Sequence, residues 1–156
     1  MKILYMHHAE RNIELNHNDP DLRQLEDITL DGIKEAEMLA EKIKYRKITC
    51  IITSPYLRCT HTAEIINKNL NIEIIYDDRL NEFKRGESKS EFLKRNISAL
   101  DDIVKKYDND SEVIVITSGV NLTAFICYFY KINPTNDTPF VQAGAISPIF
   151  FEYNKN

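Results

Sequence analysis

The sequence predicts an α/β protein of three layers, in which a mostly parallel central sheet carries helices on both faces. Short apolar runs alternate along the chain with longer stretches in which apolar residues recur every three or four positions, the period of helices that cover a sheet. The short runs are continuously apolar, which is typical of strands that are buried on both faces. A chain of 156 residues is long enough for one core, so we expect one domain over residues 1–156.

The first half of the chain contains three predicted strands and two predicted helices. Residues 2–6 (KILYM) are predicted to form a strand, because the run is too short for a helix and ends in polar residues. The spacing of apolar residues in TLDGIKEAEMLAEKIKYRK predicts a helix, with Thr29 as its N-terminal cap. The segments that follow are a strand over 48–54 that stops at Ser54-Pro55, a helix over 56–70 and a strand over 72–76.

The second half continues the alternation with two helices and two strands. Residues 90–107 have helical apolar spacing, and residues 113–117 (VIVIT) form the most strand-like run in the chain. The strongly apolar segment 121–130 predicts a buried helix. Residues 145–153 (AISPIFFEY) predict a closing strand, in which Pro148 indicates an edge position or a break.

Composition excludes several classes of function. The formal net charge of −4 provides no basic field, so neither nucleic acid nor an anionic membrane is an expected partner. Three cysteines, an odd number without CxxC spacing, favour reduced thiols over disulfides or a zinc site. No apolar run approaches the roughly 20 residues of a membrane span, so we expect a cytoplasmic location. The sequence indicates no metal or other cofactor, and it leaves the oligomeric state open.

Polar residues follow three of the predicted strands. These are His7 and His8 after the first strand, Thr53-Ser54 after the second, and Thr117-Ser118-Gly119 after the fourth. Ligands of parallel sheets bind beyond the carboxyl ends of the strands. If these strands are neighbours, their ends form one pocket.

The residue types at these ends suit phosphoryl transfer. A neutral imidazole at a strand end can attack phosphorus, since the strand fixes its direction and a backbone carbonyl can hold its other ring nitrogen in one tautomer. Arg58, in the first turn of the second helix, could bind phosphate, and Glu82 could protonate a leaving oxygen. By themselves these residues also fit a structural histidine pair, a surface arginine and a solvated carboxylate, and Ser118 fits a turn or helix cap.

Several motifs resemble those of the histidine phosphatase (phosphoglycerate mutase-like) superfamily. MKILYMHHAE is similar to that family's first strand and Arg-His-Gly motif, ITLDGIKEAEMLAEKI to its Leu-Thr-x-x-Gly segment, and IITSPYLRCTHTAEII to its Ser-Pro-x-x-Arg-x-x-x-Thr-Ala-Glu motif. RLNEF matches the segment that carries the proton-donating glutamate, and VIVITSG falls where the family has a second histidine before glycine. The resemblance implies that His8 is the nucleophile, Arg58 a phosphate ligand and Glu82 the acid.

The chain departs from the family pattern at several positions. His7 replaces the motif arginine, Ala9 the glycine and Ser118 the second histidine. A family asparagine falls near Glu14, with Asn12 or Asn16 as alternatives after a small shift. The segment after Glu82 is short, so the lid of larger members is expected to be absent and the site open.

These features predict a phosphomonoester hydrolase that works through a phosphohistidine on His8 and is weakened by the two substitutions. Ser118 would donate a neutral hydrogen bond to phosphate, and His7 would act as a cation once protonated, near pH 6.5 in the absence of perturbation, so activity should rise toward acid. The substrate would be a phosphorylated small molecule or a phosphoprotein. The alternative is a catalytically inactive member of the same fold that binds a phosphoryl ligand or a protein.

Overall fold

The fold is a five-stranded sheet covered by two pairs of helices. A computed structural model describes residues 1–13, 19–144, 146 and 148–155, and the structural statements below refer to these residues. The strands are β1 (Lys2–His7), β2 (Cys50–Thr53), β3 (Ile74–Tyr76), β4 (Glu112–Thr117) and β5 (Ile149–Glu152). The helices are α1 (Leu30–Ile43), α2 (Leu57–Leu70), α3 (Lys89–Lys106) and α4 (Leu122–Phe129), with short 3-10 turns at Arg23–Leu25, Asp78–Leu80 and Gly119–Asn121.

The sheet is mostly parallel, as the sequence predicts. Its strand order is β3-β2-β4-β1-β5, and every pair is parallel except β1 with β5. The antiparallel strand β5 lies at an edge and directly follows Pro148, which confirms the predicted edge position of the closing strand. Ala145 and Ser147, at the start of that predicted strand, lie outside the described residues.

Both faces of the sheet are packed against helices, which confirms the predicted three layers. One face, with Leu4, Met6 and Ile114 among its residues, packs on α1 and α2. The opposite face, with Ile3, Tyr5 and Val115 among its residues, packs on α3 and α4. Successive strand residues therefore belong to different cores, and both cores consist of buried aliphatic and aromatic side chains. None of the described helices is long and apolar enough to cross a membrane.

Local hydrogen bonds set the ends of several elements. The Thr29 hydroxyl accepts a bond of 2.9 Å from the Gly32 amide, which confirms the predicted cap of α1. A capping box between Ser88 and Glu91 starts α3 at Lys89, one residue before the predicted start. Strand β3 is shorter than the predicted 72–76, because both backbone groups of Ile72 bond the Asn67 side chain at the end of α2.

Candidate active site

The carboxyl ends of β1, β2 and β4 meet at one edge of the sheet. His7 pairs with Thr117 across the β1-β4 register, and Thr53 pairs with Ile116 across β2-β4. A half-open cavity of about 450 Å³ lies at this edge. Its described lining includes His7, His8, Glu82 and Ser118, so the ends of β1 and β4 share one pocket as predicted, whereas Thr53 and Ser54 at the end of β2 are not among the described lining residues. Ser54 turns away from it, since its buried hydroxyl donates to Asn81 at 2.6 Å.

His8 is held in one tautomer at the cavity wall. Its Nδ1 lies 2.7 Å from the carbonyl oxygen of Ala9, and a carbonyl can only accept, so Nδ1 carries the proton. The Nε2 atom therefore has a lone pair. That lone pair accepts from Nε of Arg58 at 3.1 Å, and Nε2 of His7 lies at the same distance. This is the protonation pattern that a nucleophilic imidazole requires.

Both histidines are held in the neutral form. Burial, followed by the neighbouring His7 and Arg58, moves the pKa of His8 well below its ordinary value. Burial and the nearby Arg58 guanidinium lower the pKa of His7 to about 4. The expectation that His7 becomes a cation near pH 6.5 is therefore wrong, because desolvation and a neighbouring positive charge both disfavour the second proton.

Arg58 lies behind His8 and is fully buried. Its Nε donates to His8, its Nη1 donates to the carbonyl oxygen of Arg23 at 2.5 Å, and its Nη2 contacts the Glu82 carboxylate at 2.5 Å. It is absent from the described residues that line the cavity. Arg58 is therefore not a surface helix residue, and its buried guanidinium contacts both His8 and Glu82.

Glu82 and Ser118 complete the group around Arg58. Glu82 lines the cavity with its side chain 18% exposed, and its other oxygen lies 3.5 Å from Nη1 of Arg23. The Ser118 hydroxyl makes no helix-capping bond; it lies 3.3 Å from both Nη2 of Arg58 and Oε2 of Glu82. The structure therefore brings together all five predicted site residues: His7, His8, Arg58, Glu82 and Ser118.

The loop after His8 is fixed by two elements of the family motifs. The Ala9 amide donates to the Thr62 hydroxyl at 3.1 Å, and that hydroxyl donates to the carbonyl of Arg58, so α2 holds the nucleophile loop and the arginine together. The carbonyl of Glu10 accepts from the Thr29 amide at 2.8 Å. A Cβ at Gly32 would lie 2.4 Å from that carbonyl oxygen, so the close approach of the loop to α1 requires glycine.

A segment near the C-terminus forms the opposite wall of the cavity. Gln142, Ala143 and Gly144 line it, and Ala143 donates to the Gly119 carbonyl at 3.2 Å. A Cβ at Gly119 would lie 2.5 Å from the Ala143 oxygen, which explains a glycine after Ser118. No local pattern in the sequence indicated that this segment reaches the site, because the contact depends on tertiary packing.

Sequence reasoning also missed three charged residues. Arg11 lines the cavity and pairs with Glu26, a carboxylate that is fully buried. Glu26 is also 4.0 Å from Nη1 of Arg58. Arg23 contacts Glu82, as described above. All three lie outside the α-helices and strands, where a charged residue gives no periodic signal of burial.

Two further expectations concern the family asparagine and a metal ion. Of the candidates for the family asparagine, Glu14 and Asn16 lie outside the described residues. The backbone amide of Asn12 donates to the backbone carbonyl of Asp27 at 2.8 Å. Within the described part of the chain, no three His, Cys, Asp or Glu side chains are grouped to hold a metal ion.

The sheet order, the imidazole that follows β1 and the arginine at the start of α2 define a phosphoglycerate mutase-like α/β protein. A family model for the histidine phosphatase superfamily, branch 1, matches residues 8–86 and 83–155. The chain belongs to this superfamily.

Individual relatives match parts of the chain. A stretch of 73 residues is 40% identical to the "Probable phosphoglycerate mutase GpmB" of Photorhabdus laumondii and covers 47% of this chain and 32% of that protein. The chain thus spans about a third of the length of this relative. The "Putative phosphoserine phosphatase 2" of Hydrogenobacter thermophilus is 25% identical over 87% of this chain and 82% of its own.

A solved structure confirms the fold over almost the whole chain. Bacillus stearothermophilus YhfR superposes with a TM-score of 0.78 at 20% identity, covering 98% of this chain and 91% of the other. At this identity the likeness establishes the phosphoglycerate mutase-like architecture. The chain therefore has the fold and family of proteins that include phosphatases and mutases.

Proposed function

We propose that this protein is a phosphomonoester hydrolase that forms a phosphohistidine on His8. The observation that carries the proposal is the bond from Nδ1 of His8 to the Ala9 carbonyl, which leaves the Nε2 lone pair at the cavity wall beside a guanidinium. Burial keeps the imidazole neutral, so the lone pair is available at pH 7.

In the first step, Nε2 of His8 attacks phosphorus and a nitrogen–phosphorus bond forms as the ester phosphorus–oxygen bond breaks. The leaving oxygen takes a proton from the carboxyl group of Glu82, which lies in the same cavity. In the second step, the Glu82 carboxylate accepts a proton from a water molecule that attacks phosphorus. Inorganic phosphate leaves, and His8 and Glu82 return to their starting states.

The phosphoryl oxygens would replace contacts that the site residues make with one another. Both Arg58 Nε and His7 Nε2 lie 3.1 Å from Nε2 of His8, so they are placed to donate to oxygens of a phosphoryl group attached there. The Ser118 hydroxyl, 3.3 Å from Nη2 of Arg58, would add a neutral donor. These are the donors that stabilise charge in phosphoryl transfer.

The test is hydrolysis of an aryl phosphate from pH 5 to 8 by the wild type and by His8→Ala. His61→Ala is the matched control, because it removes an imidazole that pairs with Asp27 and does not belong to the cavity lining. We expect activity in the wild type and the control and none above background in His8→Ala. Equal rates in the wild type and His8→Ala would overturn the proposal.

A catalytically inactive member that binds a phosphoryl ligand or a protein is the second candidate. It is favoured by the neutral His7, whose pKa near 4 removes the charge that the motif arginine would supply, and by serine at position 118. Losing one preorganised donor costs about 10²- to 10³-fold in rate. Binding of phosphate without turnover of any phosphomonoester would favour this candidate over the hydrolase.

The proposed substrates are a phosphorylated small molecule or a phosphorylated protein side chain. A cavity of about 450 Å³ is within the range of small-molecule sites, and the relative named as a putative phosphoserine phosphatase supports testing free phosphoserine beside a phosphoserine peptide.

A cytoplasmic location remains part of the proposal, supported by three buried cysteines that form no disulfide.

A further inference from the structure

The guanidinium that lines the cavity is not the guanidinium that bonds His8. Among the described residues that line the cavity, the carboxylates are Glu10, Glu35 and Glu82, and Arg11 alone carries a permanent positive charge. Arg58 is fully buried and outside this lining. Among the described lining residues, Arg11 is therefore the guanidinium that a phosphate dianion in the cavity can meet.

The backbone of Arg11 is held in a defined position. It forms an isolated antiparallel bridge with Ile28, and the residues on either side bond the same segment through Thr29 to Glu10 and Asn12 to Asp27, both at 2.8 Å. This pairing follows directly after His8. The side chain of Arg11 thus starts from a fixed point only three residues from the nucleophile.

The guanidinium of Arg11 is oriented by a buried carboxylate. Its Nη1 pairs with Oε2 of Glu26, whose side chain is fully buried and whose Oε1 has no hydrogen-bond partner among the described residues. The same Oε2 is 4.0 Å from Nη1 of Arg58. Glu26 thus lies between the guanidinium behind His8 and the guanidinium in the cavity. A buried carboxylate is stable only when it is paired, which ties the position of Arg11 to that of Arg58.

The charge of Arg11 also acts on both imidazoles. Its positive charge contributes to the lowered pKa of His7 and of His8. The side chain of Arg11 is 28% exposed and belongs to the cavity lining, while its Nη1 is held by Glu26. The remaining nitrogen–hydrogen groups are available for a second partner in the cavity, since a guanidinium carries five donors.

We infer that Arg11 is the cavity's phosphoryl-binding guanidinium, that it supplies the charge missing at His7, and that Glu26 is the residue that positions it. The inference rests on the proposed function, because it assigns a ligand of the same phosphoryl site. Arg11 would contact the non-bridging oxygens from the cavity side, opposite Arg58. The two guanidiniums would then bracket the phosphoryl group on His8.

The test measures binding separately from turnover. Orthovanadate and inorganic phosphate are titrated calorimetrically into the full chain and into Arg11→Gln, and hydrolysis of an aryl phosphate is measured in the same preparations. We expect Arg11→Gln to weaken the binding of both anions by about 10- to 100-fold, the range for a charge-assisted hydrogen bond. Arg11→Lys should fall between the two, because it keeps the charge and loses the planar fork.

Arg46→Gln is the matched control. Arg46 also pairs with a largely buried carboxylate, Glu112, but that residue begins β4 at the opposite end of the strands from His7 and Thr117. We expect anion binding in this variant to equal that of the wild type. Arg11→Gln leaves Glu26 buried without its partner, so a double variant with Glu26→Gln removes the unpaired charge and keeps the test valid if the single variant does not fold.

The outcomes separate the two proposals. Anion binding that is weakened in both Arg11 variants and normal in Arg46→Gln supports the inference, with or without turnover. The role of Arg11 is overturned if the wild type binds and turns over substrate and Arg11→Gln binds the anions equally well. It is also overturned if the double variant restores binding. Either result leaves the hydrolase intact. Binding without any turnover overturns the hydrolase alone, and absence of binding in the wild type overturns both.

Discussion

His7 makes the stability of this protein dependent on pH in a specific window. Its pKa is about 4 in the folded chain and about 6.5 when the imidazole is unperturbed. Between these values the unfolded chain holds a proton on His7 that the folded chain does not. The unfolded state therefore gains stability as the pH falls from about 6.5 toward 4, and the free energy of unfolding declines over that window.

The magnitude follows from the difference between the two pKa values. A shift of one pKa unit corresponds to about 1.4 kcal/mol, so His7 accounts for a loss of about 3 kcal/mol once the pH is below 4, and about 2 kcal/mol at pH 5. His8 acts in the same direction, since its pKa is also lowered by burial. Carboxylates with lowered pKa, such as Glu87, add a further loss at more acidic pH.

The assay is urea unfolding of the wild type and His7→Gln at intervals from pH 4.5 to 7.5. Contributions from carboxylates are common to the two proteins, so the difference between the curves isolates His7 and the part of the His8 shift that His7 causes. We expect the variant to lose at least about 1.5 kcal/mol less than the wild type between pH 7 and 5. His61→Gln controls for the removal of an imidazole outside the cavity lining. Parallel curves for wild type and His7→Gln would refute the desolvated, neutral His7.

Three further predictions concern the loop contacts and the buried arginine. Gly32→Ala should lower the free energy of unfolding, measured in urea, by about 1–3 kcal/mol, because its Cβ would clash with the Glu10 carbonyl. Gly144→Ala should not lower it, because the space around Gly144 is open. Equal losses in the two variants would contradict this reasoning. Arg58→Met should cost about 3–5 kcal/mol in the same measurement, since it removes the buried guanidinium that Glu82 and Glu26 face. A loss below about 1 kcal/mol would argue against this contribution of the buried ion pairs. Ser118→Ala should reduce kcat/KM for an aryl phosphate by less than about 10-fold, the value of one neutral hydrogen bond, and a fall above 100-fold would assign Ser118 a larger role.

Much of the fold was predictable because its signals are local. Continuous apolar runs marked the buried strands, three- and four-residue spacing marked the helices, and Thr29 marked the start of α1. Boundaries shifted by one or two residues where side chains bonded the backbone, as Asn67 does at Ile72. Such bonds depend on where the chain turns back, which periodicity does not specify.

The site was predictable as far as residues follow strands or belong to spaced motifs. His8, Arg58 and Ser118 were identified because they directly follow strands or begin a helix, and parallel strands bring those ends together. Arg11 and Glu26 were not identified, because their importance depends on a loop pairing between residues far from any strand end. The protonation of His7 also escaped prediction, since burial is a property of the folded environment.

The histidine at position 7 has an electrostatic explanation. An arginine at position 7 would stand next to His8, whose Nε2 already accepts from Arg58, and near Arg11. Glu26 is buried between Arg58 and Arg11 and balances charge there, whereas position 7 contacts the His8 ring instead of a carboxylate. A third guanidinium at position 7 would be repelled by the other two, and Glu82, the carboxylate that acts on position 7, already pairs with Arg58. With a neutral imidazole at position 7, the paired guanidinium of Arg11 remains as a cation in the cavity lining without that added repulsion.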